Sequence, residues 1–218
     1  MSTSHQITSK TIAVGLALVA VLGIAGCSSA GADASGPTTA PPPPSSTAAP
    51  IETTSPTPEP VAIDPADVTT WVITTDGMGP ITRGASYTDV IAGLPEFEAS
   101  EWCPWVDGLT AEGSGSFTLI HAEGDQAITA VWIIGRAGES GVVPASPSTE
   151  AGIRLGSTMD ELAAAYPALE TVNQVGPESF GYAVGDDANG YLDFLVENDQ
   201  VVLIGAQDVA GVPKEFCG

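Results

Sequence analysis

Two stretches of this chain open a helix in the same way, 72 to 74 positions apart. The first reads Gly84-Ala85-Ser86-Tyr87-Thr88-Asp89-Val90-Ile91-Ala92-Gly93-Leu94-Pro95. The second reads Gly156-Ser157-Thr158-Met159-Asp160-Glu161-Leu162-Ala163-Ala164-Ala165-Tyr166-Pro167. Ser86 and Thr158 are N-cap residues, because a short hydroxyl side chain can accept from the orphan N–H groups of a first turn. An acid follows each three places on, Asp89 and Glu161, and the Thr158 pair has the full capping-box pattern. Tyr87, Val90, Ile91 and Leu94 recur at i, i+3, i+4 and i+7, as do Met159, Leu162, Ala163 and Tyr166, so each set is one helix face. Pro95 and Pro167 stop each helix, since proline lacks an N–H and its ring clashes with the preceding turn.

The strands that follow repeat as well. Phe117 to Ile120 leads through a turn at Glu123-Gly124-Asp125-Gln126 into a returning strand, Ala127 to Ile134. Tyr191 to Val196 leads through Glu197-Asn198-Asp199-Gln200 into Val201 to Ile204. Gly-Asp and Asn-Asp between β-rich runs mark hairpins. Neither copy holds enough apolar surface for a robust core alone. The expectation is an α+β repeat domain over 68–218, with repeat 1 at about 70–135 and repeat 2 at about 148–208. Two tandem helix-plus-antiparallel-meander units would form one sheet with the helices on one face. Arg136 to Pro147, with its glycines and prolines, would be the joint.

This tandem pattern is similar to the β-lactamase-inhibitor-protein-like and SmpA/OmlA-type repeats over about residues 70–208. The resemblance implies a helical layer packed on an antiparallel sheet, in a group where many members are lipoproteins or exported binding proteins. No inhibitory or scaffold-binding residue carries over, because no motif position with such a role matches.

The segment ahead of the repeats speaks to location. Ile12 to Leu22 is an apolar run behind one basic residue, Lys10, and it ends in Ile24-Ala25-Gly26-Cys27. That ending resembles the lipobox of bacterial lipoproteins, which implies a signal peptide over 1–26, cleavage before Cys27, and acylation of the Cys27 thiol. An uncleaved membrane helix is the competing reading, but a span needs about 20 apolar residues. Ile12 to Gly26 is 15, interrupted by glycine. Residues 27–67 read as a disordered linker, because Pro41-Pro42-Pro43-Pro44 and six further prolines sit among Ser, Thr and Ala with little to bury. In polyproline-II geometry about 40 such residues reach about 120 Å, which suits a tether crossing a cell-wall layer. The expected location is the outer face of the cell membrane, with the lipid bilayer as a partner through acylated Cys27.

After Cys27 the chain carries 27 acidic side chains against Arg83, Arg136, Arg154 and Lys214, a formal charge of −23. A field of that sign repels nucleic acid and anionic headgroups and attracts cations or a basic partner. Solubility of an exported domain also accounts for it. With Cys27 acylated, Cys103 and Cys217 remain as an even pair, and an oxidising compartment favours a disulfide between them. In the chain-entropy account a loop of this length contributes up to about 4–5 kcal/mol.

Chemistry is sparse. His121 falls in a strand on the pleat face of Phe117 and Leu119, with no acid or nucleophile at a recognisable spacing, so it reads as structural. Phosphate-loop, dinucleotide and nucleophile-elbow patterns are all missing, so no cofactor and no catalytic residue is assigned. Asp186, Asp187, Asn189 and Asp193 are weak oxygen-donor candidates for a metal, but their spacing does not match a calcium loop and Asn189-Gly190 suits a plain turn. Phe97, Trp102 and Trp105 flank Cys103, either as a patch for a glycan or partner protein or as packing over the disulfide. The expected function is a non-enzymatic, membrane-anchored lipoprotein presenting a binding domain to a protein or cell-envelope component. The alternatives are an inhibitor-like module acting on an exported hydrolase and an acidic metal-dependent enzyme.

Overall fold

Alternating side chains, rather than helical stripes, build most of this molecule. The computed structural model describes residues 63–122 and 126–217; the 1–26 signal, Cys27, the linker as far as residue 62 and turn residues 123–125 lie outside the described residues. A short 3-10 turn, Val68–Thr70, is capped by Asp67, whose carboxylate accepts from Thr69 N. Four short strands then make a small sheet: β1 (Val72–Thr74), β2 (Gly77–Met78), β3 (Ile81–Thr82) and β8 (Ser148–Thr149). Their order is β3-β2-β1-β8, and β1 runs parallel to β8.

The large sheet has eight strands, all antiparallel. They are β4 (Glu98–Cys103), β5 (Val106–Thr110), β6 (Ser116–His121), β7 (Ile128–Ile134), β9 (Glu170–Gly176), β10 (Ser179–Asp186), β11 (Gly190–Glu197) and β12 (Gln200–Gln207). Their order is β4-β5-β6-β7-β12-β11-β10-β9, so the β4–β7 and β9–β12 runs meet where β7 pairs with β12. The β11–β12 turn is two residues, Asn198 and Asp199, at φ 49° and 67°. Asn and Asp tolerate this left-handed geometry, which matches the twist of a tight hairpin.

The two-residue period divides the strands between two cores. Phe117 and Leu119 of β6, and Val131 and Ile133 of β7, face the first core, together with Trp71, Met78, Ile81 and Leu162. Trp132 of β7 and Leu203 of β12 face a second, smaller core shared with Val212 and Phe216 near the C-terminus. The helices are α1 (Tyr87–Ala92) and α2 (Met159–Ala165). Thr158 makes both halves of its capping box: its hydroxyl accepts from Glu161 N at 3.2 Å, and Glu161 accepts from Thr158 N at 2.8 Å. Ser86 makes no side-chain capping bond. Ala163 of the expected apolar face is exposed, and Ala165 packs on the core instead.

The fold class therefore needs correction. The described residues are mostly β, 45% strand against 11% helical, with two sheets. It is not an α+β pair of helix-plus-meander units forming one sheet. The physical reason is length: helices of six and seven residues are under two turns and cannot form a layer. The first face of the large sheet is instead shared with the small sheet, whose strands of two or three residues leave no periodic signal in the sequence.

Candidate functional site

The second face of the large sheet has an unusual floor. Following the strand register, Ser100 on β4 lies opposite Gly108 on β5, Gly108 opposite Thr118 on β6, and Thr118 opposite Trp132 on β7. Trp132 lies opposite Gly205 on β12, Gly205 opposite Asp193 on β11, and Asp193 opposite Ala183 on β10. Two indole rings use the glycines as seats. A side chain at Gly108 would strike the Trp102 ring, and one at Gly205 would strike the Trp132 ring. Glycine is required there because the rings lie against bare backbone.

Trp102 and Trp132 differ in exposure. Trp102 is 48% exposed, at the free edge of the sheet where β4 leaves nearly every side chain in solvent. Trp132 is fully buried, edge-on to Phe216 with ring centroids 5.7 Å apart. Among the described residues, neither Trp132 Nε1 nor Thr118 Oγ1 has a hydrogen-bond partner, although both atoms are buried. Of the aromatic group around Cys103, Phe97 belongs elsewhere. It is buried in the first core, 5.6 Å from Trp71 and 5.9 Å from Phe117 between ring centroids.

The segment after β12 crosses this face. Gly211 N donates to Asp193 Oδ1 at 2.6 Å, and Gln207 Nε2 donates to Asp193 Oδ2 at 3.0 Å and to Gly211 O at 2.8 Å. The Asn173 amide on β9 takes both sides of Val212, donating to its carbonyl at 2.8 Å and accepting from its N–H at 3.1 Å. Cys217 closes a disulfide with Cys103 across 114 residues, with Cα atoms 6.1 Å apart. Asp193 is fully buried, and burial pushes its carboxyl up to about 6, although the bonds from Gly211 and Gln207 act the other way.

Of the four metal candidates, Asp186 and Asn189 meet within one turn, while Asp187 and Asp193 bond elsewhere. Asp186 forms the β10–β11 turn, its carboxylate accepting from Ala188 N and Asn189 N at 2.9 Å each and from Asn189 Nδ2. These bonds, the Asn189 side chain's first, hold its carboxyl below the ordinary range. Asp187 accepts from the Tyr191 hydroxyl at 2.8 Å, and Asp193 faces the C-terminal segment. Among the described residues no group of three or more His, Cys, Asp and Glu is placed to hold a metal.

His121 does meet an acid, which spacing along the chain did not reveal. Its Nε2 lies 3.1 Å from Asp107 Oδ2, with both side chains largely buried. Tyr87 packs 5.8 Å from the His121 ring. Burial, then the charge and hydrogen bond of Asp107, push the Tyr87 hydroxyl up to about 12. The sheet makes this contact: β5 and β6 are neighbours, and Asp107 pairs with Leu119, which puts its side chain on the pleat face that His121 shares. A surface groove of about 840 Å³ lies between Val143–Ser146, Gly152–Ser157 and α2, and a smaller one of about 290 Å³ beside Tyr166; neither is lined by this trio.

Compared with known proteins, the chain matches no family model, no curated protein and no solved structure.

Proposed function

We propose that this chain is an exported lipoprotein, held at the outer face of the cell membrane through acylated Cys27. In this reading it presents the folded part as a non-enzymatic binding module for a protein or cell-envelope component. Trp102 carries the reading. Its ring is 48% exposed, is seated on the backbone of Gly108, and belongs to the residue beside the Cys103 disulfide. A large aromatic side chain already fixed in place loses little entropy on binding, which is why tryptophan dominates contact energies in many interfaces. The surrounding charge favours a basic partner surface and speeds its encounter. The proline-rich 27–67 stretch supplies reach from the lipid.

The test is partner crosslinking in intact cells, comparing the native chain with Trp102→Ala at matched expression. Val142→Ala, another exposed apolar residue, serves as the control. The reading expects a specific crosslinked product that Trp102→Ala reduces at least fivefold and Val142→Ala leaves unchanged. Equal crosslinking by all three chains removes the Trp102 surface. Mass spectrometry finding a free thiol at Cys27 in the native product removes the anchor.

A further inference from the structure

The segment from Asp208 to Cys217 is held as a bound peptide is held. Its backbone is gripped at Gly211 by Asp193 and Gln207, and at Val212 by both ends of the Asn173 amide. Val212 is buried against Gly181, where any side chain would strike Asn173 and crowd Val212. Phe216 docks on Trp132. Between and beyond these anchors Lys214, Glu215 and Cys217 are exposed. Beneath lie the two buried orphans, Trp132 Nε1 and Thr118 Oγ1, on residues that face each other across β6 and β7. Buried polar groups almost always find partners. Here the Trp132 indole N–H and the Thr118 hydroxyl have no partner among the described residues.

We propose that this face is a peptide-binding groove, that residues 208–217 are its built-in occupant, and that the Cys103–Cys217 bond is the latch. The groove's partner is a peptide with an aromatic side chain four positions after an apolar one, the spacing of Val212 and Phe216. Cys217 is exposed and so within reach of a reductant. A dithiol supplies two electrons and two protons, the Sγ–Sγ bond breaks to two thiols, and the dithiol becomes its own disulfide. The segment's packed anchors are Val212 and Phe216 alone, so once the bond is cut it opens locally while the sheet stays folded. The groove deepens the binding role proposed above. Its test does not use Trp102, so either reading can fail while the other stands.

Two measurements on the full chain decide it. The first is hydrogen exchange before and after reduction by dithiothreitol. Protection is expected to fall at 208–217 and to persist in β5–β7 and β11–β12. The second is titration with a fluorescent peptide copying residues 208–218 with Cys217→Ser. The target is the chain carrying Cys217→Ser and Phe216→Ala, which weakens the resident segment that otherwise competes at high effective concentration. Saturable binding is expected there, at least tenfold weaker to the oxidised native chain, and at least tenfold weaker for a peptide with Phe216→Ala. Unchanged protection on reduction, loss of protection throughout the sheet, or release without saturable, Phe216-dependent binding each overturns the proposal.

Discussion

Asp193 gives the fold a pH dependence opposite in sign to that of most carboxylates in a stable protein. Its carboxyl is fully buried and pushed up to about 6, against an ordinary 3.8. Between those values the folded chain holds a proton that the unfolded chain has lost. Folding is then favoured by low pH, and the contribution is lost as pH rises through 6. About 2 units at about 1.4 kcal/mol each is about 3 kcal/mol in all, of which about 2 kcal/mol falls between pH 4.5 and about 7. Other acids titrate in the same range. Asp67 and Asp186, held low by hydrogen bonds, pull the opposite way. The discriminating quantity is therefore the difference between the native chain and Asp193→Asn. The amide cannot titrate, and its NH2 must face Gly211 N–H or Gln207 Nε2, both donors, a pH-independent cost of about 1–3 kcal/mol. Urea unfolding at pH 4.5, 5.5, 6.5 and 7.5 measures both chains. The native chain's advantage should shrink by about 2 kcal/mol from pH 4.5 to about pH 7 and then stay flat. An advantage that is constant, or that grows with pH, refutes the assignment of the burial penalty to this carboxyl.

Four further outcomes follow from the geometry. Thr158→Ala should cost about 1 kcal/mol in urea unfolding and Ser86→Ala markedly less, since only Thr158 makes a capping bond. Gly205→Ala should cost about 1–3 kcal/mol, and more if Trp132 cannot shift, because the new methyl would meet that ring; near-ultraviolet circular dichroism would register the displacement. Arg136→Ala should cost under about 1 kcal/mol despite its two bonds to Glu197 at 2.7 and 2.8 Å, because the arginine is half exposed. The same substitution should raise the Glu197 carboxyl from its lowered position, since the Arg136 hydrogen bond is the largest cause of that lowering, and NMR titration would report it.

Local signals were legible in the sequence where they are chemically local. Capping and the 3.6-residue period marked helix starts at Ser86 and Thr158, and cysteine parity pointed to Cys103 with Cys217. The class was not legible. β4, Glu-Ala-Ser-Glu-Trp-Cys, is exposed on nearly every side chain, so it shows no alternation, and β9 is similarly polar. The strands of the small sheet are too short for any period. Site contacts failed for a different reason. Asp107 reaches His121 only because β5 pairs with β6, and Asp193 meets Gly211 only because the chain folds back after β12. Neither spacing exists as a motif. A readable hint did stand in the strands: Gly108, Gly181 and Gly205 sit inside otherwise β-forming runs, and an isolated strand glycine marks close approach of something to the backbone.

Under the proposed binding role, the contrast between the two faces favours the second face for recognition. The first face is closed by interlocking aromatic and aliphatic side chains such as Trp71, Phe97 and Phe117, and removing any of them opens a cavity in a close-packed core. A surface under that constraint has little freedom to change for a partner. The second face mixes glycine, threonine and a buried carboxylate with a small apolar core of Trp132, Leu195 and Leu203, which is completed by Val212 and Phe216 arriving from outside the sheet. A disulfide and polar bonds from Asp193, Gln207 and Asn173 hold that cover in addition to its apolar packing. A face selected only for stability would carry larger apolar side chains at positions 108, 118 and 205, and the indole rings would have no seats. The small floor, the orphaned donor and acceptor and the exposed ring of Trp102 are all on one side, so substitutions that impair binding should cluster there, while those that impair folding cluster on the other.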